Sequence, residues 1–159
     1  MSNLIPWLQD RFSKIYDISL LQNEGGPTGL EDFSAGFDAV FASNIRITIN
    51  GEEVSRDGLK ERIISSASAA THIQVEWKDL IEVPNQGIDD SDLVTGMVAG
   101  QFIITRSLKF RIRAAPAQNQ TITIFQARIE NDANISSGDL RRITQLHYTM
   151  LSKPVPIHV

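Results

Sequence analysis

The feature that most constrains this chain is a change in the spacing of its apolar residues about 70 residues from the start. Before it, apolar side chains recur every three or four residues, which is typical of amphipathic helices. After it, apolar and polar residues alternate, which is typical of half-buried strands. This order predicts an α+β fold: N-terminal helices packed in the concave face of a strongly curved mixed, mostly antiparallel β-sheet, forming a cone with an internal pocket.

The same spacings predict the individual elements. Helices are expected over about residues 4–22, 29–42 and 56–70, the sheet over about 45–50 and 73–151, and a tail over 152–159. Asn50-Gly51 predicts a tight turn after the short first strand, and Gly96 or Gly100 is expected to bend the longest strand. A turn is expected around Pro116. The length suits one domain, so residues 1–159 are treated as a single domain.

Composition excludes several classes of function. A net charge of -4 argues against a general nucleic-acid binder, which needs a dense basic surface. The most basic stretch, residues 106–113, alternates charged and apolar residues and indicates a strand with one solvent-exposed face, with a surface for an anion or an acidic partner as the alternative. The absence of cysteine excludes disulfides and cysteine metal sites.

Other classes of site also lack support. The three histidines are scattered, so no metal site is expected, and without a glycine-rich phosphate loop no cofactor is predicted. The N-terminus does not resemble a signal peptide, and no apolar run is long enough to span a bilayer. We therefore expect a cytoplasmic protein without membrane contact.

The order of elements, with residues 37–42 before the first strand and 51–60 after it, resembles the nuclear-transport-factor-2-like superfamily. That group includes the SnoaL-like polyketide cyclases and the ketosteroid-isomerase-like and scytalone-dehydratase-like proteins. The resemblance implies their cystatin-like cone fold over about residues 4–151. It implies no single function, because such folds host isomerases, dehydratases, cyclases, transport adaptors and ligand-binding proteins.

The resemblance also implies where catalytic groups would stand. Ketosteroid-isomerase-like members use a tyrosine late in the first helix and an aspartate on the first strand; Tyr16 matches the tyrosine, but Thr48 stands in place of the carboxylate. Scytalone-dehydratase-like members add two histidines; His72 matches the first, and residues 94–113 contain no second. We assign no catalytic residue, and keep Tyr16, His72 and Asp79 as candidates, the last because a buried carboxylate has a raised pKa.

The pocket is expected to be lined by aromatic and polar side chains from the helices and long strands: Tyr16, Phe37, Phe41, His72, Trp77, Gln101 and His147. Several have alternatives. Trp77 is predicted to share a face with Asp79, Ile81 and Val83, where core packing is the simpler account. His72 could bond locally at the start of its strand. Gln145, His147 and Thr149 point either into the pocket or out of the sheet, and we favour outward.

Together these features predict a protein that binds a small apolar molecule and forms a homodimer through the outer face of its sheet. Six strand residues offer more apolar surface than one core face requires: Phe102, Ile104, Ile122, Ile124, Leu146 and Tyr148. One alternative is an isomerase, dehydratase or cyclase acting on a small polyketide- or steroid-like substrate, which requires Tyr16 and His72 to open on one cavity. Another is a protein-interaction adaptor, which would have a shallow cavity and an exposed apolar patch.

Overall fold

The structure is a computed structural model that describes residues 4–17, 27–85, 94–112 and 115–155. Its elements are α1 (Leu4–Ile15), α2 (Pro27–Asp38), β1 (Phe41–Ile49), β2 (Glu52–Val54), α3 (Arg56–Ser68), β3 (Ala70–Pro84), β4 (Gly96–Ile112), β5 (Ala115–Asn131) and β6 (Arg141–Pro154). The strands form one open sheet in the order β2-β1-β6-β5-β4-β3. β1 and β6 are parallel and the other neighbours antiparallel. The predicted α+β fold with a mixed, mostly antiparallel sheet is confirmed.

An aromatic cluster joins α1 to the inner face of the sheet. The ring of Phe12 lies 5.6 Å from that of Trp77 and 5.9 Å from that of Phe102, between centroids. Phe102 in turn contacts Phe125 and Tyr148. Burying each large apolar side chain contributes about 1.5–3 kcal/mol, so this cluster fixes the helix across the strands.

A β-bulge at Asp79 changes which side chains of β3 point inward. The pairing with β4 shifts between Lys78 and Ile81, and Asp79 has a φ of 54°. Ile81 and Val83, predicted to share the inner face with Trp77, are each 61% exposed. That prediction is wrong because a bulge adds one residue to the strand and reverses the facing of every residue after it.

The reversal brings Glu82 to the start of α1. Its Oε2 accepts hydrogen bonds from the backbone N–H groups of Leu4 (3.0 Å) and Ile5 (3.1 Å). These amides have no partner within the helix, and a carboxylate also suits the positive end of the helix dipole. On β4, Gly100 lies opposite the bulge: a Cβ there would approach the Leu80 Cα to 3.0 Å. Glycine at this position therefore permits the bulge, and through it the cap on α1.

The first two predicted helices end too late. α1 ends at Ile15, and the predicted extension to residue 22 falls partly outside the described residues. α2 ends at Asp38 instead of about residue 42, because Phe41 already pairs with Ile143 of β6. Apolar residues in this stretch are buried in either conformation, so their spacing does not separate helix from strand. None of the described helices is long and apolar enough to cross a membrane.

β3, β5 and β6 are longer than predicted. β3 begins at Ala70, and β5 begins at Ala115, where a turn had been expected around Pro116. β6 continues to Pro154, inside the predicted tail. β6 pairs with β1 only as far as Tyr148. Proline has no backbone N–H to donate, but Pro154 lies beyond this pairing, so no hydrogen bond to β1 is lost.

The tight turn predicted at Asn50-Gly51 is confirmed and joins β1 to β2. Asn50 and Gly51 have φ values of 52° and 83°, as a hairpin turn of this type requires. The Asn50 side chain also donates to the Met150 carbonyl (3.0 Å) and accepts from the Met150 amide (2.8 Å). The turn therefore holds β6 at the point where Met150 reaches the candidate site.

Candidate ligand-binding site

A cavity of about 60 Å³ lies between α3 and the inner face of the sheet. Most of its wall is apolar, formed by Ile49, Leu59, Ile63, Ala67, Ile73, Ile104 and Met150. Its polar side chains are Tyr16, Arg62, Ser66, Arg106, Thr121 and Tyr148. An apolar wall with a few grouped polar atoms is the usual composition of a small-molecule site.

The cavity continues into a wider and more polar mouth of about 590 Å³. Five residues line both spaces: Arg62, Ser66, Arg106, Thr121 and Met150. The mouth adds further polar groups from α3 and β6, including Glu61, Ser65 and Ser152. A molecule entering here meets polar groups first and apolar walls afterwards.

The helical wall follows directly from the sequence of α3. Ser55 caps the helix by accepting a 2.9 Å hydrogen bond from the Gly58 amide. Leu59, Ile63 and Ala67 recur every four residues, so they form one buried stripe facing the sheet. The side chains of this stripe become smaller from Leu59 to Ala67, which leaves space beside the last turns of the helix.

Arg106 projects from β4 to the boundary between cavity and mouth. Its Nη2 donates to Asn119 Oδ1 (2.9 Å) and to Thr121 Oγ1 (2.8 Å), both neutral acceptors. Among the described residues no carboxylate forms an ion pair with it. Burial lowers the pKa of Arg106, and the neighbouring Tyr16 opposes that change. The guanidinium remains charged at neutral pH.

Two phenol groups lie near this cation. Burial raises the pKa of Tyr16 above its ordinary value, with the charge of Arg106 acting in the opposite direction. Burial, and then the neighbouring Tyr16, raise the pKa of Tyr148. Both hydroxyls therefore stay protonated and can donate. Within the part of the chain that the structure describes, neither makes a hydrogen bond.

This arrangement can hold an acceptor oxygen but offers little for proton transfer. A guanidinium and two phenols are all hydrogen-bond donors, suited to a carbonyl or carboxylate oxygen. The described residues that line the cavity include no carboxylate and no imidazole. A group that accepts a proton from a substrate carbon is therefore missing from the described lining.

Of the residues predicted to line the pocket, Tyr16 is at this cavity and the other aromatics are in the core. Phe37 and Phe41 pack against each other at 4.6 Å, and the Arg56 guanidinium lies 4.9 Å from the Phe37 ring. Trp77 packs beside Phe12, in the core position that is the simpler account of its pattern.

The remaining predicted pocket residues lie on the outer face of the sheet, which corrects their placement. His72 and His147 are exposed. Gln101, His147 and the catalytic candidate Asp79 line an open groove of about 430 Å³ on that face, together with Ile124. Side chains alternate between the two faces of a strand, and both neighbours of His147 on β6 are buried in the core. His147 therefore points to the outer face. The outward direction was the one favoured for His147.

The sequence did not indicate Arg106 as a residue of the candidate site, and the resemblance placed Thr48, not Ile49, at the inward-facing position of β1. Ile49 lines the cavity, whereas Thr48 is on the opposite face of the strand. Arg106 shares the inward alternation of Phe102 and Ile104. This alternation could have placed Arg106 on the inner face, but the basic stretch 106–113 favoured a charged residue on the solvent-exposed face.

No family sequence model matches this chain, and no curated protein sequence matches it. Solved structures do match. An NTF-2-like protein of unknown function from Pseudomonas aeruginosa superposes with a TM-score of 0.54 and 14% identity, over 92% of this chain and 96% of that one. A hexachlorocyclohexane dehydrochlorinase, LinA type 2, gives 0.51 and 11%, over 95% and 91%. The chain therefore has the nuclear-transport-factor-2-like fold, as its sequence predicts.

Proposed function

We propose that this protein binds a small, mostly apolar molecule with an acceptor oxygen in the cavity between α3 and the sheet. One observation carries the proposal: apolar walls surround the hydroxyls of Tyr16 and Tyr148, which lack partners among the described residues, beside Arg106. Apolar walls favour the body of such a molecule, and the grouped donors fix its orientation.

The two phenol groups are available to a bound molecule. Neither oxygen is among the described buried polar atoms that lack a partner, so both hydroxyls retain accessible surface and can donate to a ligand. One ligand oxygen would satisfy a phenol and the guanidinium together. The cavity holds only about 60 Å³, so the expected ligand is small or extends into the mouth.

The enzymatic alternative receives less support. An isomerase, dehydratase or cyclase of the expected kind needs Tyr16 and His72 on one cavity, and His72 is exposed and does not line it. Thr48 is on the opposite face from the cavity. The similarity to a dehydrochlorinase concerns the fold and supplies no proton acceptor.

We also propose a homodimer formed through the outer face of the sheet. Four of the six residues behind the prediction, namely Phe102, Ile104, Leu146 and Tyr148, are buried in the core. The outer face instead exposes Ile81, Val83, Ile124 and Leu151 by 60–65% each. A protein-interaction adaptor would use the same patch for a different partner. The cytoplasmic location and the single domain stay predictions.

The ligand-binding proposal is tested by titrating the protein with acetophenone, a neutral aromatic ketone, and following backbone amide resonances. Saturable shifts are expected at Ile63, Ala67 and Ile104. Ala67→Leu, which fills the cavity, should abolish them, while the same change on the outer face, Ala99→Leu, should not. Shifts that survive Ala67→Leu, or no saturable shifts at all, would contradict the proposal.

A further inference from the structure

We infer that the molecule bound in this cavity is a monoanionic carboxylic acid whose carboxylate pairs with Arg106 and whose apolar body lies against α3. The inference rests on the proposed ligand-binding function and adds the chemical class of the ligand. It depends on where the positive charge lies, what already neutralises it, and how many donors surround it.

The position of Arg106 separates two environments. It lines both the apolar cavity and the polar mouth, as do Arg62 and Thr121. A carboxylate held there would keep its charge at the boundary while the attached apolar group entered the cavity. An amphipathic acid fits this gradient, whereas a molecule that is polar throughout would leave the apolar wall unused.

Positive charge exceeds negative charge among the described residues that line this boundary. The ion pairs among the described residues all lie elsewhere, and none includes Arg62 or Arg106. The only carboxylate that lines the described part of the mouth is Glu61, which is exposed. A local excess of positive charge in a chain of net charge -4 marks a place where an anion is favoured.

The geometry of Arg106 suits a carboxylate. Asn119 and Thr121 both accept from Nη2 and so restrain the guanidinium plane. Its Nε and Nη1 groups have no hydrogen-bond partner in the described ranges. Each of these free N–H groups can donate a charge-assisted hydrogen bond to a carboxylate oxygen without displacing Asn119 or Thr121.

The surroundings favour one negative charge over two. Arg106 is the half-buried cation of the site, and Tyr16 and Tyr148 are neutral donors. A dianion such as a phosphate monoester would leave part of its charge uncompensated against apolar walls, which is costly. A monoanion matches the one half-buried guanidinium, since the exposed Arg62 and Glu61 at the mouth carry opposite charges, and it takes additional hydrogen bonds from the phenols.

The test compares cinnamate with cinnamamide, which have the same shape and differ in charge, by calorimetric titration near neutral pH. Cinnamate is expected to bind at least about tenfold more tightly, the effect of one charge-assisted hydrogen bond. Arg106→Gln should remove the difference, because it should weaken cinnamate far more than cinnamamide, and Arg106→Lys should restore part of it. Arg128→Gln, on the outer face, should change neither.

Equal affinity for the two probes, or a preference that survives Arg106→Gln, would overturn the inference. Tighter binding of phenyl phosphate than of cinnamate would contradict a site for a monoanion. If Arg106→Gln does not fold, the Arg106 Nε resonance of the unmodified protein decides: it should move with cinnamate and not with cinnamamide. Binding of acetophenone and cinnamamide without a preference for the acid refutes this inference alone, whereas no binding of any probe refutes the proposed function.

Discussion

At the scale of single residues, Thr123 is the clearest point of unfavourable energy in the core. It is fully buried, and its hydroxyl has no hydrogen-bond partner in the described structure. Thr123→Val keeps the shape and removes the polar atom, so the free energy of unfolding should rise by about 1 kcal/mol. Thr121→Val is the matched control and should lower it, because that hydroxyl bonds to Arg106 and Ser152. Denaturant unfolding measures both, and a less stable Thr123→Val would contradict the interpretation.

Asp139 gives the fold a specific dependence on pH. Its Oδ2 accepts from Trp7 Nε1 (3.0 Å), Arg11 Nη2 (3.3 Å) and Arg141 Nη2 (2.9 Å). Burial opposes its ionisation, but the hydrogen bonds and charge of Arg141 and the bond from Trp7 prevail and lower the pKa of Asp139 from 3.8 to about 2.

Because the folded pKa of Asp139 lies below the unfolded value, this carboxylate stabilises the fold above about pH 4 and loses that effect as pH falls toward 2. Asp139→Asn should remove about 1 kcal/mol of pH-dependent stability in this range, after allowance for solvent screening. Unfolding curves at several pH values measure it. Asp10→Asn, which breaks an exposed pair with Lys14, should leave the dependence unchanged; an equal effect of both changes would refute the assignment.

The sequence predicted some site residues and missed others for identifiable reasons. Tyr16, which the resemblance implied, does line the candidate cavity, because its place at the end of the first helix follows from local periodicity. Arg106 was missed because its facing depends on which strand residues are buried by distant elements. His72 and Gln101 were placed in the pocket for the same reason. Alternation divides strand residues between two faces but does not tell which face the helices cover.

At the scale of elements, the bulge in β3 links the sheet to the start of α1. Gly100→Ala would place a Cβ 2.6 Å from Leu80 Cδ2 and 3.0 Å from Leu80 Cα, so the bulge backbone must move. We expect a loss of about 2 kcal/mol in the free energy of unfolding, with amide shifts at Leu4 and Ile5, whose partner Glu82 follows the bulge.

The matched control is Gly36→Ala in α2, where the added Cβ would lie at an ordinary 3.8 Å from Ile15 Cγ2. It should be neutral or stabilising by up to about 1 kcal/mol, since alanine favours a helix. Equal destabilisation by the two changes would show that Gly100 has no special role. The apolar-polar alternation of β3 breaks at Asp79 and Leu80 but resumes in its earlier phase at Ile81, so the pattern predicted a strand without a shift.

At the scale of the whole molecule, the outer face of the sheet should determine the oligomeric state. Ile124 is 60% exposed there and lines the outer groove. We expect a homodimer by light scattering at tens of micromolar, and a monomer for Ile124→Glu, because burying an unpaired charge at an interface is costly. Leu30→Glu, at a side chain that is 51% exposed on α2, should remain a dimer. A monomeric unmodified protein would remove the dimer proposal.

The fold of the whole chain was the most predictable level, because it depends on the order of helical and strand periodicities and not on the facing of any one residue. The proposed ligand site depends on the inner face of the same sheet. Intermolecular NOEs between the ring protons of bound cinnamate and the protein's methyl groups test that site most directly. We predict contacts with the methyls of Ile63, Ala67 and Ile104; contacts with Ile81 and Ile124 on the outer face instead, or none, would contradict a ligand site between α3 and the sheet.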